Sequence, residues 1–171
     1  QDLAYEAQLE AKTGWVADSL RRIAGIELEL EPILGAESQF GYRNKMEYSF
    51  ARLEDGPTLG LHRAGRWDEV LEIDKCWLTT DLGNAIRNRM REWAREERLE
   101  AYDQAAEKPT GYLRHLVVRE GRNTGQALVQ LVTYKGERFD RDRLIEVLTS
   151  FPEVRSIHWS INDTPAEVTN L

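Results

Sequence analysis

The sequence predicts an α+β fold, in which a mixed, mostly antiparallel sheet carries helices on one face. Apolar residues recur at helical spacing in three stretches and alternate with polar residues in several others. A turn rich in Gly, Asn and Thr joins two of the alternating stretches as a hairpin. From residue 70 onward the order is strand, helix, strand, strand, helix, strand. That is the ferredoxin-like order, preceded here by an extra N-terminal helix and an extra hairpin.

The extra helix is predicted over residues 2–24. Leu3, Ala7 and Ala11 begin an apolar stripe, and Gly25 stands where the helix should end.

A period-two pattern over residues 42–50 predicts the first strand, with Arg43 and Lys45 on one side and Met46 and Tyr48 on the other. The later elements are strands over 59–62 and 70–73, a helix from Thr79 or Thr80 to about Tyr102, hairpin arms over 116–119 and 127–134, a helix that Asp140 opens, and a strand over 154–161. We expect the sheet face without helices to stay open.

Composition restricts the class of protein. A chain of 171 residues, 41% hydrophobic and 31% charged, predicts one soluble domain, or one domain with a small appendage, and we expect a monomer. No apolar run approaches membrane-spanning length, so we expect no membrane partner. The single cysteine, Cys76, excludes an internal disulfide framework and favours a cytoplasmic location. The net charge of −7 counts against a general nucleic-acid coat but not against a local basic site.

No catalytic constellation is complete in this sequence. Cys76 has no histidine nearby at metal-ligand spacing, and the three histidines are scattered. The glycines at 121 and 125 lie between two predicted strands, so they do not form a nucleotide-binding loop. We expect the five tryptophans to be core residues, except Trp67 in a predicted loop.

The predicted hairpin concentrates positive charge in an acidic chain. It carries Arg114, Arg119, Arg122 and Lys135 against one acid, Glu120. Such a surface suits a phosphate backbone and unstacked bases. The alternative, which composition alone favours, is an ordinary solvated sheet face.

Four blocks of the chain, with a fifth at its start, carry a resemblance to a known family. The blocks are Tyr42–Phe50, Leu59–Arg66, Ile73–Leu78 and Leu113–Thr133, and Asp2–Lys12 adds the fifth. In this order they resemble the RNA (uracil-5-)-methyltransferase family, which makes 5-methyluridine in ribosomal or transfer RNA. Matching separations over nearly the whole chain make the resemblance specific.

The resemblance implies that residues 1–171 are a central, RNA-substrate-binding domain. Family members usually carry a TRAM domain and a cysteine-rich iron–sulfur motif upstream. They carry an S-adenosylmethionine-binding catalytic domain downstream, and this sequence contains none of these. We therefore expect an excised piece that binds no cofactor and is inactive alone.

Cys76 acquires a specific role from the same resemblance. In the ribosomal-RNA branch, the cysteine in this context resembles the fourth ligand of a [4Fe–4S] cluster, a role confined to the intact protein. Its presence favours ribosomal over transfer RNA as the substrate. The alternative is a small buried side chain.

The sequence therefore predicts the RNA-binding and positioning domain of an S-adenosylmethionine-dependent RNA uracil-5-methyltransferase of the 23S ribosomal RNA type. A stand-alone, non-catalytic protein-interaction or scaffold domain derived from that family is the alternative. The candidate phosphate contacts are Arg43, Lys45, Arg63, Arg66, Arg119, Arg122 and Lys135, and the candidate base or sugar contacts are Arg114, His115 and Tyr134, with His62 beside them.

Overall fold

A computed structural model describes residues 3–103, 110–136 and 138–164 of the protein. The chain divides into two compact units after Phe40. The predicted helix end and loop up to Lys108 fall partly outside the described residues, as does Asp2 of the N-terminal block.

The first unit contains helix α1, Tyr5–Ser19, which continues as a π-helical stretch over Leu20–Ala24. Gly25 ends it in the left-handed conformation, with φ of 67°, as the sequence predicts. No residue of α1 is buried. The expectation of a core position is therefore wrong for Trp15, and it is also wrong for Trp77 of the second unit, which is 61% exposed.

The second unit contains the sheet. Its elements are β1 Lys45–Leu53, β2 Gly56–His62, β3 Val70–Leu71, α2 Asp81–Glu96, β4 Leu113–Gly121, β5 Gln126–Thr133, α3 Arg141–Thr149 and β6 Val154–Ile161. The spatial order is β3-β2-β1-β4-β5-β6. Every neighbouring pair is antiparallel except β5 and β6, which are parallel. The predicted α+β class with a mixed, antiparallel-rich sheet is confirmed.

The strands and helices follow the predicted order along the chain, but the sheet is not interleaved as in a ferredoxin-like fold. A split βαβ unit leaves another strand between its two parallel strands. Here α3 returns the chain directly beside β5, so β5 and β6 are neighbours. Short turns likewise place β1 beside β2 and β4 beside β5.

Helix α2 packs its apolar stripe onto one face of the sheet. The Thr80 side chain accepts a hydrogen bond from the Gly83 backbone N–H at 3.0 Å, which confirms the predicted N-cap. Ile86, Met90 and Trp93 are fully buried. The helix ends at Glu96, earlier than predicted, and Arg98 then takes a left-handed conformation with φ of 53°.

The other face of the sheet is not open throughout, so that expectation is wrong. His115 is 5% exposed, and Val117, Gln130 and Val132 are each 1% exposed. These residues lie on β4 and β5, each of which has a strand on both sides. This face is solvated at its end, where Lys45 and Arg119 are exposed, and at His158 on the edge strand β6.

No helix within the described ranges is both long enough and apolar enough to cross a membrane.

Candidate nucleic-acid interface

Four of the predicted cations meet at one end of the sheet. Lys45 on β1 is the direct register partner of Arg119 on β4. The Arg122 guanidinium, in the β4–β5 turn, lies 3.5 Å from the backbone oxygen of Arg43. We call Arg43, Lys45, Arg119 and Arg122 the basic end.

Local structure fixes the backbone of the basic end. The Arg43 N–H donates to the Leu78 carbonyl at 2.9 Å, and the Glu120 N–H donates to the Asn44 carbonyl at 2.8 Å. Gly125, with φ of 64°, closes the turn that holds Arg122 in a conformation that favours glycine. The backbone beneath these cations is therefore ordered by hydrogen bonds on both strands.

Acids neutralise little of this charge. Lys45 Nζ lies 3.4 Å from Glu47, in an exposed pair of small energetic value. The Glu120 carboxylate is directed toward α2, where Thr80 Oγ1 donates to it at 2.6 Å and Thr79 Oγ1 at 3.4 Å. Glu120 therefore serves the start of the helix rather than the hairpin cations.

The remaining candidates are spread along the sheet: Arg63 and Arg66 follow β2 at the same end as Lys45, whereas Tyr134 and Lys135 follow β5 at the opposite end. His115 is four residues from Arg119 along β4, which is roughly 13 Å. Ser49 Oγ lies 3.2 Å from His115 Nδ1 and 2.9 Å from His62 Nε2, so one hydroxyl connects both histidines. The predicted residues therefore extend over the sheet from one end to the other and do not form one cluster.

Arg114 is held inside the structure. It is 3% exposed, and its Nη1 donates to the carbonyls of Asn162 at 2.8 Å and Thr164 at 2.6 Å. Its guanidinium also lies 4.6 Å from the centre of the Tyr102 ring. These contacts anchor the chain after β6, so we drop Arg114 from the proposed RNA contacts.

Tyr134 and Lys135 follow β5 at the end of the sheet opposite the basic end. The Tyr134 ring stacks on Tyr102 with centroids 5.0 Å apart and planes at 27°. Lys135 Nζ lies 5.4 Å from the centre of the Tyr134 ring. Tyr134 is half-buried and Lys135 is exposed, so both can meet a ligand at this edge.

Arg63 and Arg66, after β2, are already paired with acids. Arg63 Nε lies 2.7 Å from Glu69, and Arg66 donates twice to Asp68 at 2.8 Å. The hydrogen bonds from Arg66 lower the pKa of Asp68 to about 2. Their charge is therefore largely compensated locally, unlike that of the basic end.

Cys76 is buried beneath α2. Its N–H donates to Asn84 Oδ1 at 2.7 Å, and Asn84 Nδ2 donates to its carbonyl at 3.0 Å. Arg87 donates to the carbonyls of Ile73 and Asp74, so two α2 side chains hold this loop. Burial lowers the pKa of Arg87. Burial, and to a smaller extent the neighbouring Cys76, raises the pKa of Tyr48 to about 12.

The chain itself does not fit an iron–sulfur cluster. Such a cluster needs four thiolates, and the sequence has one cysteine. Among the described residues, no three His, Cys, Asp or Glu side chains are gathered so as to hold a metal ion.

The curated proteins that match the chain are named as RNA methyltransferases. An uncharacterized RNA methyltransferase of Bacteroides thetaiotaomicron is 33% identical over 189 residues, which cover 99% of this chain and 41% of that protein. The tRNA (uracil(54)-C(5))-methyltransferase of Pyrococcus horikoshii is 31% identical over 169 residues, covering 99% of this chain and 37% of that protein. No family model matches the chain.

The chain also matches a solved structure of an RNA methyltransferase. The Pyrococcus abyssi tRNA (uracil-54, C5)-methyltransferase, crystallised with S-adenosyl-L-homocysteine, superposes with a TM-score of 0.70 at 30% identity. The match covers 98% of this chain and 37% of that one. Over nearly its whole length, the chain is similar to a part of RNA methyltransferases that include transfer-RNA uracil-5-methyltransferases. It spans about two fifths of the length of the curated relatives it matches.

These matches do not support the predicted preference for ribosomal RNA. The relative and the solved structure that name an RNA both name transfer RNA. The preference was drawn from Cys76 alone, and the structure shows that thiol only as a buried side chain.

Sequence reasoning missed two features of the interface. Arg155, at the start of β6, lies at the same groove as Lys45 and Arg119. The Ser49 hydroxyl joins His62 to His115. Both depend on strand pairing, which residue spacing does not reveal.

Proposed function

We propose that this chain is the RNA-binding and positioning part of an S-adenosylmethionine-dependent RNA uracil-5-methyltransferase. The observation that carries the proposal is the basic end, four exposed cations on ordered backbone in an acidic chain that is similar to RNA methyltransferases. Cations so arranged grip successive phosphates and fix the position of an RNA without reading its sequence. Tyr134 and Lys135 are the proposed base or sugar contacts, with His62 and His115 as supporting residues between them and the basic end.

We place the methyl transfer outside this chain. S-adenosylmethionine supplies the methyl group in the reaction we propose for the parent protein. The loop from Gly121 to Gly125 joins two antiparallel strands, so it does not offer a nucleotide the strand-to-helix cradle it needs. The role of this part is to hold the RNA while a uridine is extruded toward the catalytic residues.

The activity is tested with the complete natural polypeptide. We expect it to form 5-methyluridine from uridine when supplied with S-adenosylmethionine and either transfer RNA or 23S ribosomal RNA, as measured by mass spectrometry of digested nucleosides. The RNA that is modified decides between the two substrate classes. A complete protein that binds neither RNA and methylates neither would favour a scaffold domain instead.

Changing Arg43 and Lys45 together to alanine should weaken RNA binding by the 171-residue chain. Each lost phosphate contact lowers the slope of log affinity against log salt by about 0.7 for single strands, so the double variant should lose about one to two units. Fluorescence anisotropy of a labelled RNA at several salt concentrations measures this slope.

The matched control changes Arg52 and Arg98 to alanine. Both are exposed cations outside the basic end, and the control loses the same charge. Equal losses in the two double variants would mean that net charge, and not the basic end, governs binding.

A further inference from the structure

A groove crosses the basic end of the sheet and includes a residue outside the predicted set. Its volume is about 350 Å³, and Lys45, Arg119 and Arg155 line it from three different strands. Asn44, Gln126 and Ser156 add neutral hydrogen-bonding groups to its walls.

Two of these cations face each other at close range. Asn44 and Glu120 form a hydrogen-bonded pair, so their neighbours Lys45 and Arg119 occupy a non-hydrogen-bonded pair. Side chains approach most closely at such positions, with Cα atoms about 4.5 Å apart. Like charges directly opposite destabilise a sheet, and the exposed Lys45–Glu47 pair offsets this repulsion only in part, so an anion bound between Lys45 and Arg119 would stabilise the sheet.

A register irregularity directs Arg155 to the same groove. Val154 pairs with Ala127 and Ser156 pairs with Leu128, which leaves Arg155 as an extra residue in β6. Val154 is therefore buried toward the helices while Ser156 lies on the other face, although the two are only two residues apart. Bulges of this kind bend an edge strand and redirect a side chain.

The groove keeps its positive charge. Glu120 is the acid among its lining residues, and its carboxylate accepts hydrogen bonds from Thr79 and Thr80 on the helix side. Leu128, half-buried between Arg119 and Ser156, gives the groove an apolar centre. A positive groove with an apolar centre suits a single strand, whose backbone contacts the cations while its sugars and bases rest on the centre.

We infer that Lys45, Arg119 and Arg155 form a binding site for the phosphodiester backbone of single-stranded RNA. The strand crosses β1, β4, β5 and β6, a path of three inter-strand spacings or about 14 Å, perpendicular to the strands. The Lys45–Arg119 pair holds one phosphate and Arg155 holds another. This inference rests on the proposed RNA-binding function and names the segment of RNA that it uses.

The test measures binding of a labelled single-stranded oligouridylate to the 171-residue chain at several salt concentrations. The variants are Arg155→Gln and the triple change of Lys45, Arg119 and Arg155 to glutamine. The control is Arg52→Gln, an exposed cation at the far end of β1. We expect the salt slope to fall by about 0.7 for Arg155→Gln, which loses one phosphate contact, and by about 1.4 for the triple variant, which loses two, with no change beyond net charge for the control.

A second measurement separates binding from folding. Thermal unfolding of the triple variant should occur at or above the wild-type temperature, because the like-charge pair is gone. The oligouridylate should raise that temperature for the wild type and not for the triple variant.

Three other outcomes would each contradict a specific part of the inference. If the wild type binds the oligouridylate and the triple variant keeps its slope, the groove assignment is wrong while RNA binding stands. If an oligoglutamate peptide binds as tightly as RNA and is lost in the triple variant, the groove is an acidic-peptide site. If the wild type binds no RNA in any form, both the proposed function and the groove assignment fail.

Discussion

Replacing Trp93 with alanine should lower the free energy of unfolding by about 3–5 kcal/mol, the range for truncating a large buried aromatic side chain. Trp93 is fully buried on α2, and its ring meets Phe139 edge to face with centroids 5.7 Å apart. Phe139 in turn contacts Trp159 at 5.2 Å, so this cluster joins α2 to β6. Alanine would leave a cavity at the point where the two helices and the sheet meet.

Denaturant unfolding measures the Trp93→Ala effect. Glu92→Ala, at the exposed neighbouring position of the same helix, should change stability by no more than about 0.5 kcal/mol. A Trp93→Ala protein that unfolds within about 1 kcal/mol of wild type would show that the cluster does not carry the core.

Arg87→Met should lower the free energy of unfolding by about 1–3 kcal/mol. Methionine keeps most of the apolar stem, but the carbonyls of Ile73 and Asp74 lose their shortest side-chain hydrogen bonds. The longer contacts from Arg91 to Ile73 at 3.5 Å and from Asn88 to Asp74 at 3.3 Å remain, so they offset part of the about 1.5–3 kcal/mol that hydrogen bonds to a charged group contribute. The loop carrying Cys76 should loosen, so the Cys76 thiol should react faster with a thiol reagent.

The control for Arg87→Met is Arg89→Met on the same helix. Arg89 pairs with Glu96 near the surface, and such pairs contribute about 0–1 kcal/mol. If both variants lose equal stability and Cys76 reacts at the wild-type rate in each, Arg87 does not hold the loop.

Local periodicity was enough to predict most elements. Strand β6 was predicted with the bounds that the structure shows, and residue type narrowed the caps to Thr79 or Thr80 for α2 and to Asp140 for α3. These features depend on neighbours a few residues apart, which the sequence displays directly. The spatial order of the strands depends on pairing over long separations, and residue spacing carries no such signal.

The site was predictable only in part, for the same reason. Lys45 and Arg119 were both named, but their direct opposition is a matter of register. Arg114 was misjudged because an arginine on a strand is usually solvated, whereas here the carbonyls of Asn162 and Thr164 bind it. Arg155 was missed because a bulge breaks the alternation that assigns a side chain to a face.

The hydrogen bond from Thr80 to Glu120 links the C-terminal end of β4 to the start of α2. The neighbouring cations Lys45 and Arg119 therefore lie on ordered strands of the domain and not on a flexible tail. In a disordered basic tail, binding must also fix the backbone, at about 1–2 kcal/mol per residue of conformational entropy. Folding has already ordered the backbone at Lys45 and Arg119, so RNA binding reduces only the conformational entropy of their side chains. A few cations on ordered strands can therefore bind RNA as tightly as a larger number of cations on a flexible tail.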